Sequence, residues 1–274
     1  MNEFLRMSDQ LVIPEDDLII VNDIPKSKTL TPQGRLFEVL GIKNNHRIVR
    51  EIACNTVVIG GAIRALGNLL GVTPNWEPSP THGSSSSTEM PKLALFGVGT
   101  GGATDQFGVV NAPQIWQRDV SSRIPLRRNT TISGEDANKY FGKVSAGSGI
   151  YNWFYKEFAS TPVIKTCKKN TASPDQDGTE ITADITDASQ IASGVETFAE
   201  ISIRLNTSDV REYYESIGGS LAQRYNTIGF FTGAKPSGSS DYVNVRLYSV
   251  VNFNNYDVST PTQRTLVYRI YSLI

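Results

Sequence analysis

Apolar and polar positions alternate with a period of two over much of the chain beyond residue 92. In Val195–Leu205 the residues Val195, Thr197, Ala199, Ile201, Ile203 and Leu205 face one way, with Glu196, Glu200, Ser202 and Arg204 opposite, and Phe198 breaks the polar face. Alternation of this kind marks a strand with one face in a core. Segment 242–253 repeats it through Val243, Val245, Leu247, Val251 and Phe253, and segment 264–270 through Leu266, Tyr268 and Ile270. Shorter strands are expected over 93–98, 107–110, 123–127, 150–158, 163–168 and 227–231. Turn signals at Gly147-Ser-Gly149, Asp177-Gly178, Gly233 and Pro236-Ser-Gly238 separate them. Many short strands with Gly/Pro turns, and no fixed-period repeat, predict an antiparallel β-sandwich or barrel-like body over 93–274.

A second periodicity lies upstream. Ile48, Ile52, Ile59, Ile63, Leu66 and Leu70 recur at spacings of four, seven, four, three and four, which predicts one long α-helix over 46–70. Asn44 or Asn45 would cap it and Gly71 with Pro74 would end it. Gly60-Gly61 in its middle calls for close packing on another backbone. A Ser-rich loop follows, so 45–92 reads as helix plus loop. Residues 1–44, punctuated by Pro14, Pro25 and Pro32, read as an extended N-terminal arm with apolar clusters at 11–13 and 18–21. A short second helix is expected after Asp209, with Asp209-Val-Arg-Glu212 as a capping box and Gly218-Gly219 as the stop.

Composition narrows the function. The 274 residues carry 26 Lys+Arg against 27 Asp+Glu, a net charge of −1, which argues against a protein that coats nucleic acid or an anionic membrane. The charged fraction of 19% is low for a soluble domain, so much of the surface is uncharged or covered by partners. Two histidines (His46, His82) and two cysteines (Cys54, Cys167) are a poor kit for catalysis or a closed metal site. No enzyme activity, cofactor or metal is expected. The N-terminus lacks a basic region followed by an apolar run, and 57–70 is too broken to span a bilayer, so neither secretion nor membrane insertion is expected. Nothing suggests that the cysteines pair.

Four motifs offer chemistry. Gly97-Val-Gly99-Thr-Gly-Gly102 fits G-x-G-x-x-G, but no βαβ alternation follows, so a glycine-rich turn is the better reading. The run from Ser173 to Asp184 partly resembles a calcium loop, yet Ser173 and Asp184 stand where Asp and Glu belong, which favours an Asp-Gly turn. Arg118, Arg123, Arg127 and Arg128, near Trp116, form a basic cluster suited to an acidic partner patch such as Glu15-Asp16-Asp17 rather than to sequence-specific nucleic-acid binding. The aromatic segment Tyr140, Phe141, Tyr151, Trp153, Phe154, Tyr155, Phe158 fits either a sugar platform or burial in a core and an interface. The residues expected at subunit contacts are Leu11, Ile13, Leu18, Ile20, Arg123, Arg127, Trp153 and Tyr155.

The order of segments resembles structural proteins of tailed-bacteriophage virions. The resemblance rests on Asn55-Thr-Val-Val-Ile-Gly-Gly-Ala62, Phe96-Gly-Val-Gly99, Ile124-Pro-Leu-Arg127, Trp153-Phe-Tyr-Lys-Glu-Phe158 with Thr161-Pro-Val-Ile164, Asp241-Tyr-Val-Asn-Val-Arg-Leu-Tyr-Ser249 with Asn252-Phe-Asn254, and Leu266-Val-Tyr-Arg-Ile-Tyr271. These are structural patterns and carry no active site. They imply a virion component that works by assembling with copies of itself and with other virion proteins. The expected form is a neck, collar or tail ring, with a capsid-accessory or baseplate protein, or a carbohydrate-binding β-sandwich for host attachment, as alternatives.

Overall fold

The computed structural model describes residues 33–43, 46–59, 61–62, 65, 90–103, 109–133, 138–170, 172, 178–181, 194–206, 208–219, 223–258 and 264–271. The apolar clusters at 11–13 and 18–21, the Ser-rich loop and most of the calcium-like run lie outside them. The strands are β1 (Gln33–Lys43), β2 (His46–Val57), β3 (Lys92–Gly99), β4 (Arg123–Ile124), β5 (Arg127–Asn129) and β6 (Tyr140–Gly147). They continue with β7 (Ile150–Glu157), β8 (Val163–Lys168), β9 (Val195–Leu205), β10 (Arg224–Ala234), β11 (Val243–Asp257) and β12 (Arg264–Tyr271). A six-residue helix, α1 (Arg211–Ser216), precedes β10.

The strands pair in the order β5-β7-β3-β10-β11-β2-β1-β12-β9-β8, with β4 beside β3 and β6 beside β7. Every pairing is antiparallel. The fold is therefore mainly antiparallel β, as the alternation predicts. β9 matches its predicted bounds, and β3, β7, β8 and β12 lie within a residue or so of theirs.

The long helix is not found among the described residues: Ile59, Gly61, Ala62 and Ala65 are helical, but the first half of the expected span is not. His46–Val57 is a strand, and no helix of seven or more residues occurs among the described residues. The four-residue spacing of Ile48 and Ile52 is a multiple of two, so it fits one face of a strand as well as one face of a helix. Leu36 pairs with Ala53 but Phe37 with Glu51, which leaves Ile52 as an extra residue and shifts the alternation. Ile48, Val49, Ile52, Thr56 and Val57 are β-branched, so local propensity favours the strand as well. The stretch read as the end of the arm, Gln33–Lys43, is strand β1, between β2 and β12.

β2 joins two layers. Its first part pairs with β1 through Cys54; from Asn55 to Val57 it pairs instead with Ser249–Val251 of β11. Alternate residues of β1, β9 and β12 (Leu36, Ile201, Ile203, Leu266, Tyr268) meet those of β3, β10 and β11 (Phe96, Val98, Ile228, Phe230, Val251) in one buried core. The Phe230 ring stacks on Tyr268 with centroids 3.8 Å apart. The opposite face of the β3–β10–β11 layer is buried too, where Leu95, Phe231, Val245, Leu247 and Val250 pack under Val58, Val120, Phe141 and Tyr155. β10 consequently has water on neither face, and every residue from Tyr225 to Ala234 is buried.

Tyr268 also carries the polar joint between the layers. Its hydroxyl accepts from Asn55 Nδ2 at 2.7 Å and lies 2.9 Å from Ser249 Oγ, while Asn55 Oδ1 accepts from the Gly34 N–H at 2.7 Å. A Cβ on Gly34 would fall 2.1 Å from the Tyr268 hydroxyl, so glycine is required there by space. Tyr268→Phe keeps the ring but leaves Asn55 and Ser249 short of a buried partner; stability should fall by about 1–3 kcal/mol. Gly34→Ala should destabilise as well, because the methyl meets the phenol. Denaturant unfolding measures both, and unchanged midpoints would contradict this account of the joint.

Candidate interaction surface

The glycine-rich motif is a packing device. Gly97 and Gly99 belong to β3, and a Cβ at Gly99, Gly101 or Gly102 would fall 2.3, 2.4 or 2.1 Å from Ser121 O, Ser121 Cβ or Asn226 O. Asn226, buried in β10, fastens the turn: its Oδ1 accepts from the Gly102 N–H at 2.6 Å and its Nδ2 donates to Thr100 O at 3.1 Å. The glycines bring one loop against a buried strand.

The four expected contact residues within the described body are all engaged inside the chain. Trp153 is buried in the core between the layers and Tyr155 in the second core. Arg123 donates to the Tyr155 hydroxyl at 2.6 Å, pairs with Asp119 at 2.8 Å and lies over the Phe154 ring at 4.4 Å. Arg127 grips Glu212 of α1 with two bonds, at 3.0 and 2.7 Å, and donates to Ser208 Oγ at 3.0 Å. The acidic partner of Arg127 is thus on α1. Arg128 donates to Asn152 Oδ1 at 3.0 Å. The remaining four, Leu11, Ile13, Leu18 and Ile20, lie outside the described residues.

α1 starts without the expected capping box. Its first flanking residue is Val210, at φ 73°, and no side chain caps the helix. Asp209 turns inward instead, because a stronger set of partners waits there. Its Oδ1 accepts from the Tyr140 hydroxyl at 2.5 Å, and its Oδ2 accepts from Lys156 Nζ at 3.0 Å and from the Asn206 N–H at 2.6 Å. Burial pushes the Asp209 carboxyl above its ordinary value, while Lys156, Tyr140 and the Asn206 N–H pull the other way. The predicted stop holds: Gly218 takes φ 74°, and the Gly219 N–H donates to Tyr214 O at 2.9 Å.

A second polar cluster lies on the face of β9 and β12 turned away from the core. Glu200, 5% exposed, accepts from Arg47 at 2.6 Å, from Arg269 at 3.0 and 3.1 Å, and from Lys165 at 3.1 Å. Arg269 lies over the rings of Phe198 and Phe37 at 4.5 and 5.1 Å. Arg47 reaches Glu200 only because the β1–β2 hairpin curls. Glu200 pairs across β12 with Arg35, whereas Arg47 pairs with Ile42, seven residues on and so roughly 20 Å further along the strand. Register shifts at Leu36/Phe37 and Val39/Gly41 bend the hairpin back across this face. The curl leaves Leu40 and Ile42 exposed at 57% and 76%. On the other flank of the same layer, β8 exposes Val163 and Ile164, at 46% and 79%. These apolar residues, on two elements of one layer, are candidates for partner contact, as are Val109, Trp116 and Ile217 elsewhere on the body.

Among the described residues no group of His, Cys, Asp and Glu is arranged to hold a metal ion, and no helix is long and apolar enough to cross a membrane. Cys54 and Cys167 are both free thiols. Compared with family models, with curated proteins and with solved structures, the chain matches none.

Burial alone would raise the Glu200 carboxyl, but the hydrogen bonds and charges of Arg47, Arg269 and Lys165 outweigh it and hold it below its ordinary value. A carboxylate with a depressed folded pKa adds stability above its unfolded pKa and loses it as pH falls through the folded one. Glu200→Gln should therefore be clearly less stable than the wild type at pH 7, and the gap should shrink steadily below about pH 4. Thermal unfolding of both proteins from pH 7 to pH 3 checks this; a gap independent of pH would contradict it.

Proposed function

We propose that this chain is a structural protein of a tailed-bacteriophage virion that works by assembling as a symmetric homo-oligomer. The form we favour is a neck, collar or tail ring at or near the head–tail junction. The observation that carries the reading is the exposed apolar set Leu40, Ile42, Val163 and Ile164 on the hairpin and edge strand of one layer, beside a body whose polar clusters are spent on internal pairing. Together with the sequence patterns quoted above, this favours a rigid block with sticky margins over a catalyst.

The mechanism is mechanical. The two buried cores stiffen the body, and the arm crosses to an adjacent subunit. A head-to-tail contact repeated with a closing rotation gives a ring. A sugar platform is the weaker reading, because Trp153 and Tyr155 are buried and Lys143 Nζ sits 3.7 Å from the Tyr151 ring centroid.

Light scattering after size-exclusion chromatography, with negative-stain microscopy, should show ring-shaped oligomers. A protein monomeric at all concentrations would overturn the proposal. Removing residues 1–30 should weaken assembly by tenfold or more in concentration, about 1.4 kcal/mol, while leaving the unfolding of the body unchanged. Undiminished assembly of the shortened chain would show that the arm plays no part.

A further inference from the structure

The pair Lys156–Asp209 is built unlike the lysine pairs that Lys165 and Lys235 form. Its side chains are 4% and 1% exposed, whereas Lys165 and Lys235 remain 26% and 37% exposed in their pairs with Glu200 and Glu157. Lys156 Nζ stands 3.0 Å from Asp209 Oδ2 and 4.7 Å from the Tyr140 ring centroid. The Tyr140 hydroxyl donates to the other carboxylate oxygen, Oδ1. An amine, a carboxyl and a hydrogen-bond donor on that carboxyl are thus held together out of water.

We propose that Lys156 and Asp209 condense into an intramolecular amide, a covalent cross-link between β7 and the turn that leads into α1. The reaction begins with transfer of one proton from the Lys156 ammonium to Asp209 Oδ2, giving a neutral amine and a neutral carboxylic acid. Burial lowers the cost of passing through that form, in keeping with the upward push that desolvation gives the Asp209 carboxyl. The amine lone pair then attacks the carboxyl carbon. Negative charge develops on Oδ1, where the Tyr140 hydroxyl already points and can stabilise it. A proton passes from nitrogen to Oδ2, the carbon–Oδ2 bond breaks, and one water leaves. One C–N bond forms, one C–O bond breaks, and no oxidant, metal or co-reactant is needed.

Two factors drive the condensation. The groups are in contact in the folded chain, so the step is effectively unimolecular. Two buried charges also become one neutral amide, which removes their desolvation cost. The link would close a loop between positions 53 apart in sequence. It would hold α1 to the β5–β7 edge, where Arg127 and Glu212 already meet. This inference does not depend on the proposed assembly.

Intact-mass spectrometry of the purified full chain tests it. The expected mass is one water below that of the sequence, and proteolysis should release a branched peptide containing both Lys156 and Asp209. Lys156→Arg, which keeps the charge but cannot form this amide, should have the full mass. Tyr140→Phe should show a smaller linked fraction, and full linkage in that variant would overturn the role assigned to the hydroxyl. A wild-type chain at full mass overturns the cross-link. So does a water loss that maps to a succinimide at Asp177-Gly178.

Discussion

The arrangement depends on Tyr268. Its ring lies flat on Phe230, which fixes the spacing of the two layers where their cores meet. Its hydroxyl is tied to Asn55 and Ser249, one residue at the point where β2 leaves the first layer and the other on β11 of the second. A buried phenol must have a partner or cost the fold dearly. The partners here sit on the two strands that join the layers, so the layers cannot part without exposing both the stacked rings and the polar joint. Gly34 completes the site by leaving room for the phenol.

What surrounds this joint explains why so many polar groups turn inward. The β3–β10–β11 layer is buried on both faces, so the elements covering its second face must be anchored. Asn226 holds the glycine-rich turn and Arg123 bridges Asp119 and Tyr155, while on the side of the core between the layers Arg127 holds α1 to β5. On the other layer, Glu200 gathers Arg47, Arg269 and Lys165 and holds the curled hairpin down. The near-neutral composition is thereby accounted for in part: much of the charge serves the interior contacts of one chain. Among the exposed apolar residues, Leu40, Ile42, Val163 and Ile164 lie at the margins of this layer, on the hairpin and on β8.

The strands with clean alternation were legible because each has a single buried face and an undisturbed register, as in β9 and β12. β10 is legible only in its centre: with both faces buried its alternation disappears, and its true ends at Arg224 and Ala234 carry no periodic signal. β2 carries a helix-like signal because Ile48 and Ile52 are four apart, a spacing that puts two residues on one face of a strand as well as of a helix, and the bulge at Ile52 then breaks the alternation that would mark the strand. β1 and β6 leave little periodic signal for related reasons, the first through its glycines and bulges and the second through its exposed Lys143, Val144 and Ser145. Of the polar sites, the arginine cluster could be named but its partners could not. Glu212 and Asp209 are brought to Arg127 and Lys156 by strand order, which local sequence does not encode, whereas Asp119 pairs with Arg123 from only four residues away. The Glu200 cluster joins residues up to 153 positions apart and left no local trace at all.

The central claim is that the two layers, locked at Tyr268, form one cooperative block stiff enough to serve as a building unit. Native-state hydrogen exchange tests it most directly. Amides of β10 in one layer and of β9 and β12 in the other should exchange with the same opening free energy, equal to that of global unfolding, and should respond identically to denaturant. If β9 and β12 opened at a clearly lower free energy while β10 stayed protected, the layers would be separate units and the account would be wrong.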